Sequence, residues 1–290
     1  MKIFDLIGTV PKVGSPLTVN DFEKLTKKAS PYYQNENGKG KHYAVCPVCR
    51  NPIVIVNLYT DSSTIEGDSS PAPLHARHSQ KTIVGIAEYD EAKYNECYLA
   101  NPAVFSCTDR RMEGDVSNEL LDLIINNAKI IRTMISSAIG LNVGDKLFES
   151  ILNDFKSEQG HLYRFVNRYN LPYAIIYLMK NRSINYQYLK GEVGDKLKAS
   201  INESFNKSIF ISKNQIKRND SSVSLNMFFT EHNRNKNTGE ESLLMNVEKK
   251  EGSNSSIIFQ HKIEFDTSLF INWINKDQRS SDIARKVFKK

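Results

Sequence analysis

The spacing of apolar positions changes once along the second half of the chain, from a helical period to a period of two. In NELLDLIINNAKIIRTMISSAIG, Leu120, Leu121, Ile124, Ala128, Ile131, Ile135, Ala138 and Ile139 recur at three- and four-residue intervals. That spacing puts them on one stripe of a helix, with Ser117 as its N-cap and Gly140 as its stop. A second helix is predicted from Asp145 to about Glu158, with Phe148, Ile151, Leu152 and Phe155 inward and Gly160 beyond its end. Asn170 before LPYAIIYLMK starts a third, with Pro172 in the first turn, where proline is tolerated. KNRS reads as a turn, and a long amphipathic helix follows to about Phe205.

From about Phe205 the segments SVSLNMFFT, SLLMNVEKK and SIIFQHKIEFD alternate apolar and polar residues. In the last, Ile257, Phe259, His261, Ile263 and Phe265 share one face, and Gln260, Lys262 and Glu264 share the other. NRNKNTG and EGSNS supply turn residues. The pattern predicts an antiparallel meander with one face covered, and His261 as a core histidine. TSLFINWINK, with the lone tryptophan Trp273, reads as a closing helix, and DIARKVFKK as a short basic amphipathic tail.

The N-terminal third is punctuated differently. HYAVCPVCRNPIVIV places Cys46 and Cys49 between two strand-like runs. A redox C-x-x-C opens a helix, whose N-terminus stabilises the thiolate. Here Pro52 and the β-branched run Ile53–Val56 continue the chain as a strand instead. The pair therefore reads as the knuckle of a hairpin, the device by which zinc ribbons present two thiolates to one metal. A structural zinc needs two more ligands, and the candidates are His42, His75, His78, Cys97 and Cys107. PLHARHSQK, read as one helical turn, points both of its histidines the same way. Cys97 ends the short helix-like stretch YDEAKYNEC, and Cys107 follows a strand-like AVF. His42 reads as a surface side chain, and Cys107 as a small buried apolar residue.

CPVC and PLHARHS together resemble the N-terminal zinc-binding region of the CoiA-like competence family. The resemblance covers about residues 40 to 100, and a Ser/Asp-rich loop, TDSSTIEGDSSPAP, departs from it. It matches Cys46 and Cys49 to the knuckle, His75 and His78 to a histidine pair, and Cys97 to a later cysteine. It also implies a restriction-type nuclease domain downstream, with an acidic residue near a Glu-x-Lys on neighbouring strands. The favoured ligand set is Cys46, Cys49, His78 and Cys97, with His75 in place of Cys97 as the alternative. Either set closes the coordination sphere with protein atoms, so the zinc is expected to be structural. Its binding energy is then folding energy, about 10–16 kcal/mol in small zinc modules.

Composition adds bounds. The chain has 290 residues, 40% hydrophobic and 25% charged, enough for a packed core in one to three domains. No apolar run approaches the roughly 20 residues of a membrane span. MKIFDLIGTVPKVG, interrupted by Asp5, is a poor signal peptide, so a cytoplasmic protein is expected. TDRRMEGDVSN reads as a linker. The expected organisation is α+β: a zinc-ribbon-like module over 1–112, a helical domain over 113–205 and an antiparallel β region with closing helices over 206–290.

The net charge of +6 hints at nucleic acid, although usage rich in Asn, Lys, Ile and Ser raises lysine counts by itself. That usage is also common in mobile elements and phage-defence islands. NENGKGKHY has the wrong spacing for a P-loop, and neither G-x-S-x-G nor H-E-x-x-H occurs. A Glu-x-Lys exists at Glu248 and Lys250, with Glu231 as its nearest acidic partner, at the opposite end of the expected hairpin. Two helices around KNRS have the outline of a helix-turn-helix, and packed helices are the simpler reading. The expected function is binding of nucleic acid or a nucleoprotein complex. Zinc would gather Lys39, Lys41, Arg50, Arg77 and Lys81 into one basic surface. The alternatives are a nuclease-like enzyme and a protein-interaction subunit.

Overall fold

A computed structural model of the chain describes residues 1–9, 14–36, 38–59, 73–100, 108–204, 208–235 and 240–288. The fold is α+β, and its strands pair antiparallel. Of the described residues, those before 107 and those from 267 to 288 form one compact unit. Those of 108–235 and 240–266 form the other.

The first unit opens with the paired strands β1 (Ile3–Phe4) and β2 (Ser15–Pro16) and the helix α1 (Val19–Thr26). Thr18 caps α1 by accepting from the Asp21 amide at 3.0 Å. A four-stranded sheet follows in the order β3 (Tyr33–Glu36), β4 (Lys39–Val45), β5 (Pro52–Val56), β6 (His75–His78), and then the short helix α2 (Glu91–Asn95). Register assigns the faces of this sheet. His42, Ile55 and Ala76 lie side by side on one face, and Tyr43, Val54 and Arg77 on the other. The first face carries the main core, with Phe4, Phe22, Ala44, Ile53, Ile55 and Ala76 around the three buried cysteines. The second carries a smaller cluster of Tyr43, Val45 and Ile86.

In the second unit, the predicted first helix is two: α3 (Asp115–Asn126) and α4 (Ala128–Ile139). The break is at Asn127, whose side-chain amide donates to the Leu123 carbonyl at 3.0 Å and competes with the helical ladder. Two arginines of the predicted linker are tied into this unit. Arg111 donates to the Val166 carbonyl at 2.6 Å, and Arg110 stacks on Tyr163. Next come α5 (Asp145–Ser157) and α6 (Leu171–Tyr177), both where the pattern put them. KNRS does not join two helices. Arg182–Ser183 forms a strand, β7, and α7 starts only at Gly191 and runs to Ser204. There is therefore no helix-turn-helix at this place.

Gly140 ends α4 in the left-handed conformation, φ 68°, as its position predicts. It also brings two backbones together: a β-carbon on Gly140 would sit 2.5 Å from the Gly194 amide nitrogen. Gly140→Ala is expected to cost about 2–4 kcal/mol, the sum of left-handed strain and an overlap with backbone that cannot rotate away. Gly144→Ala, with open space around it, serves as the control in the same thermal melts.

The hairpin β8 (Ile209–Ser212) and β9 (Gln215–Arg218) turns through Lys213 and Asn214, both at positive φ, as a two-residue hairpin requires. The predicted meander is present as β10 (Val223–Arg234), β11 (Glu241–Glu251) and β12 (Asn254–Glu264), with β7 on the edge of β10. Leu225, Met227, Leu243, Met245, Val247 and Ile263 are its buried face. His261 lies opposite Met245 on that face, and burial lowers its pKa. Ile257 departs from the prediction. A bulge lets Val247 pair with Phe259 but Glu248 with Ile257, so the one-residue slip turns Ile257 to the other face, where it is exposed.

The predicted closing helix and basic tail are one continuous helix, α8 (Thr267–Phe288), which belongs to the first unit. Its Phe270, Ile271 and Ile274 are buried. The expected boundaries at 112 and 205 are accordingly not those of the fold: helices and meander share one unit, and the last helix leaves it.

Candidate metal centre

Cys46 follows β4 directly, and the chain reverses over Pro47 and Val48. The Cys46 amide donates to the Asn51 carbonyl at 2.8 Å, and the Arg50 amide to the Cys46 carbonyl at 3.0 Å. Arg50 takes positive φ, 61°, to complete the turn. Cys49 is thereby folded back beside Cys46, on the core face of the sheet.

The third and fourth groups arrive by different routes. His78 ends β6 opposite Ile53, which puts its ring on the cysteine face. Cys97 lies just past α2, its amide bonded to the Tyr94 carbonyl at 3.0 Å. A residue the pattern did not single out sets that placement. Asn51, 1% exposed, accepts from the Asp90 amide at 2.7 Å and donates to the Asp90 carbonyl at 2.9 Å. Asp90 caps α2 through the Lys93 amide. One buried amide thus joins the knuckle to the helix that delivers Cys97. Asn51→Ala is expected to weaken metal binding by about 10–100-fold, the usual effect of removing an outer support. Competition with a chromophoric chelator measures it.

The ligand atoms of Cys46, Cys49, His78 and Cys97 lie within 4.8 Å of one another, close enough to hold one metal ion. The Cys46 and Cys97 sulfurs are 3.8 Å apart, and His78 Nε2 lies 3.3 Å from Cys49 Sγ and 3.8 Å from Cys97 Sγ. These cysteines are free thiols, far beyond disulfide distance. Their acidities are driven apart. Burial raises Cys46 well above an ordinary thiol. Hydrogen bonds from Cys46 and Cys97, and then from His78, hold Cys49 far below one. For Cys97 the bond to Cys46 lowers the pKa, but the bond and charge of Cys49 and burial outweigh it and push it up to about 12. Three buried sulfurs cannot all be thiolates against each other's charge. A divalent cation among them removes that conflict.

Other expectations fare differently. His75 is outside the cluster because HARH is a strand, not a helical turn. Residues three apart on a strand point to opposite faces. His75 Nδ1 instead contacts the Pro73 carbonyl at 2.7 Å. His42 is no free surface group: it packs edge-on against Tyr33 and Tyr59, and burial lowers its pKa. Cys107 lies outside the described residues, as does the side chain of Lys39.

The four of the five cations whose side chains are described do not form one surface at the metal site. Arg50 donates to the Asp5 carboxylate at 2.6 Å and to the Leu6 carbonyl at 2.7 Å, so it braces the N-terminal strand against the knuckle. Arg77 and Lys41 alternate with His78 and His42 and project from the face away from the thiolates. Lys81 is exposed beyond β6.

The nuclease pair stays apart. Glu248 lies opposite Asn226, five residues along β10 from Glu231, about 17 Å at strand rise. Glu248 instead accepts from Asn181 at 3.0 Å. Among the described residues the Cys3His set is the only such metal-binding group.

The second unit holds a polar cluster that periodicity did not reveal. Buried Glu241 accepts from Asn170 at 3.1 Å and meets His232 Nε2 at 2.9 Å. The His232 ring stacks on Phe265 and lies against Phe165 and Tyr177. His232 lies between the strand-like SVSLNMFFT and the turn residues NRNKNTG, and a register shift between Thr230 and Asn233 accompanies its place there.

Compared with family models, curated proteins and solved structures, the chain matches none. No helix among the described residues is long and apolar enough to cross a membrane.

Proposed function

We propose that Cys46, Cys49, His78 and Cys97 hold one structural zinc ion in a zinc-ribbon-like module, and that the protein works by binding nucleic acid. The observation that carries the zinc reading is the ligand geometry. A tetrahedral zinc, about 2.3 Å from sulfur and about 2.0 Å from nitrogen, separates its ligands by about 3.5–3.8 Å. The Cys46–Cys97, Cys49–His78 and Cys97–His78 separations of 3.8, 3.3 and 3.8 Å bracket that range. Three thiolates and an imidazole favour zinc over hard cations, which take oxygen. Four protein ligands leave no position for a water, so the ion organises the fold and performs no chemistry. The CoiA-like resemblance is consistent with the same cluster through Cys46, Cys49, His78 and Cys97, without His75.

Nucleic acid is the favoured partner because the module keeps exposed cations that the core does not use, Arg77 and Lys81 among them. Such groups contact phosphates and position a partner without reading sequence. Elemental analysis of purified protein tests the zinc reading, with one zinc per chain expected. A Cys46–Cys49 disulfide or a metal-free native protein would overturn it. Fluorescence anisotropy with a labelled oligonucleotide at low salt tests the binding reading.

A further inference from the structure

A cleft of about 440 Å³ in the first unit runs between α1 and α8, floored by Ser15 and Pro16 of β2. From α1 come Asp21, Lys24 and Leu25. From α8 come Asn272, Asn275, Lys276 and Arg279. Each set has the three- and four-residue spacing of a single helix face, so both faces look into the same cleft. The side chains of Lys24, Lys276 and Arg279 have no ion pair or hydrogen bond among the described residues. Three other exposed cations of this unit are paired: Lys28 with Glu23 at 2.8 Å, Lys93 with Asp90 at 3.0 Å, Arg285 with Asp282 at 3.8 Å. The one carboxylate lining the cleft, Asp21, accepts the Thr18 hydroxyl at 2.8 Å. The lining therefore carries three unneutralised positive charges against one negative.

We propose that this cleft binds the phosphate backbone of single-stranded nucleic acid. The inference rests on the nucleic-acid reading above and moves its site from the knuckle to the α1–α8 cleft. Charge selects an anion, and three cations from two helices suit successive phosphates better than a single anion. Lys286 extends the row seven residues beyond Arg279, about 10 Å along the helix. Asn272 can donate to phosphate or to base edges, Asn275 keeps one N–H beside the one it donates to the Gly14 carbonyl at 3.5 Å, and Leu25, partly exposed, offers an apolar surface beside them. The concavity argues against the other polyanion a basic helix could meet. A flat anionic membrane cannot enter a cleft, whereas one strand of a polynucleotide can.

The test uses the full zinc-loaded chain, a fluorescein-labelled dT20 strand, and vesicles of phosphatidylserine and phosphatidylcholine. Lys24→Ala/Lys276→Ala/Arg279→Ala is expected to bind dT20 about tenfold or more weakly at low salt. The slope of log affinity against log salt should shrink by about 2, three contacts at about 0.7 each for a single strand. Asp21→Asn, which keeps an oxygen for Thr18, should tighten binding. Zinc content should stay unchanged in all variants. If the parent binds dT20 and the triple variant binds it with the same affinity and slope, the cleft is wrong and the nucleic-acid reading survives. If the parent binds anionic vesicles but not dT20, or binds neither, both fall.

Discussion

Removing the proposed zinc should unfold the first unit and leave the second folded. Structural zinc binding supplies about 10–16 kcal/mol in small modules, as much as the whole stability of an ordinary domain, about 5–15 kcal/mol. Here the four ligands come from the knuckle, the end of β6 and the loop after α2, and Cys46, Cys49 and Cys97 sit within the main core of the unit. Losing the ion leaves three buried sulfurs competing for charge, so the penalty falls on the core itself. The second unit has its own core, including Ile131, Ile135, Ile151, Leu225 and Met245, and none of the four ligands. A strong chelator should therefore release one zinc and open the described residues before 101 and those of 267–288 to limited proteolysis, while those of 108–204, 208–235 and 240–266 stay protected. Cys97→Ser should behave like the chelated protein. His75→Ala should change neither zinc content nor melting beyond about 0.5 kcal/mol, the usual range for a surface site. Retained protection after complete zinc release would show that the ion is not structural.

Glu241→Ala should be the most damaging single change in the second unit, costing about 3–5 kcal/mol. The carboxylate is 8% exposed and answers to Asn170 and His232, with an Arg234 guanidinium nitrogen 3.8 Å away. Deleting it leaves buried donors unsatisfied, which costs more than the pair contributes when intact. Asn170 cannot relax readily. It is fully buried and also ties Asn167 and the Phe165 carbonyl, at 3.0 and 2.9 Å. The double variant Glu241→Ala/His232→Phe should recover part of the loss. A phenyl ring suits the pocket of Phe165, Tyr177 and Phe265 and brings no polar group. Denaturant melts of the full cycle give the coupling energy. Simple additivity would mean that His232 and Glu241 are not coupled in the folded protein.

Local pattern decided a good deal of this protein. The knuckle was legible because proline and a β-branched run after Cys49 exclude the helix a redox pair needs. Helices α5 and α6, the stop at Gly140 and the three long strands were legible because one buried face imposes its period on the chain. Cys97 and His78 were legible as ligand types, since closing a metal sphere requires a count of four. What failed was local conformation at short or polar segments. HARH reads as a helical turn with both histidines facing the same way, and its pairing with β5 instead puts His75 and His78 on opposite faces. The bulge that turns Ile257 outward, and the Asn127 amide that splits one stripe into two helices, leave no trace in periodicity. Tertiary structure alone decided which charges remain available. Arg50 looks like any exposed arginine until Asp5, 45 residues earlier, is brought within 2.6 Å. Lys24 and Arg279, 255 positions apart in the chain, line one cleft only because α8 returns to the first unit. Sequence spacing encodes the period of a face, whereas burial and charge pairing depend on what the rest of the chain places against it.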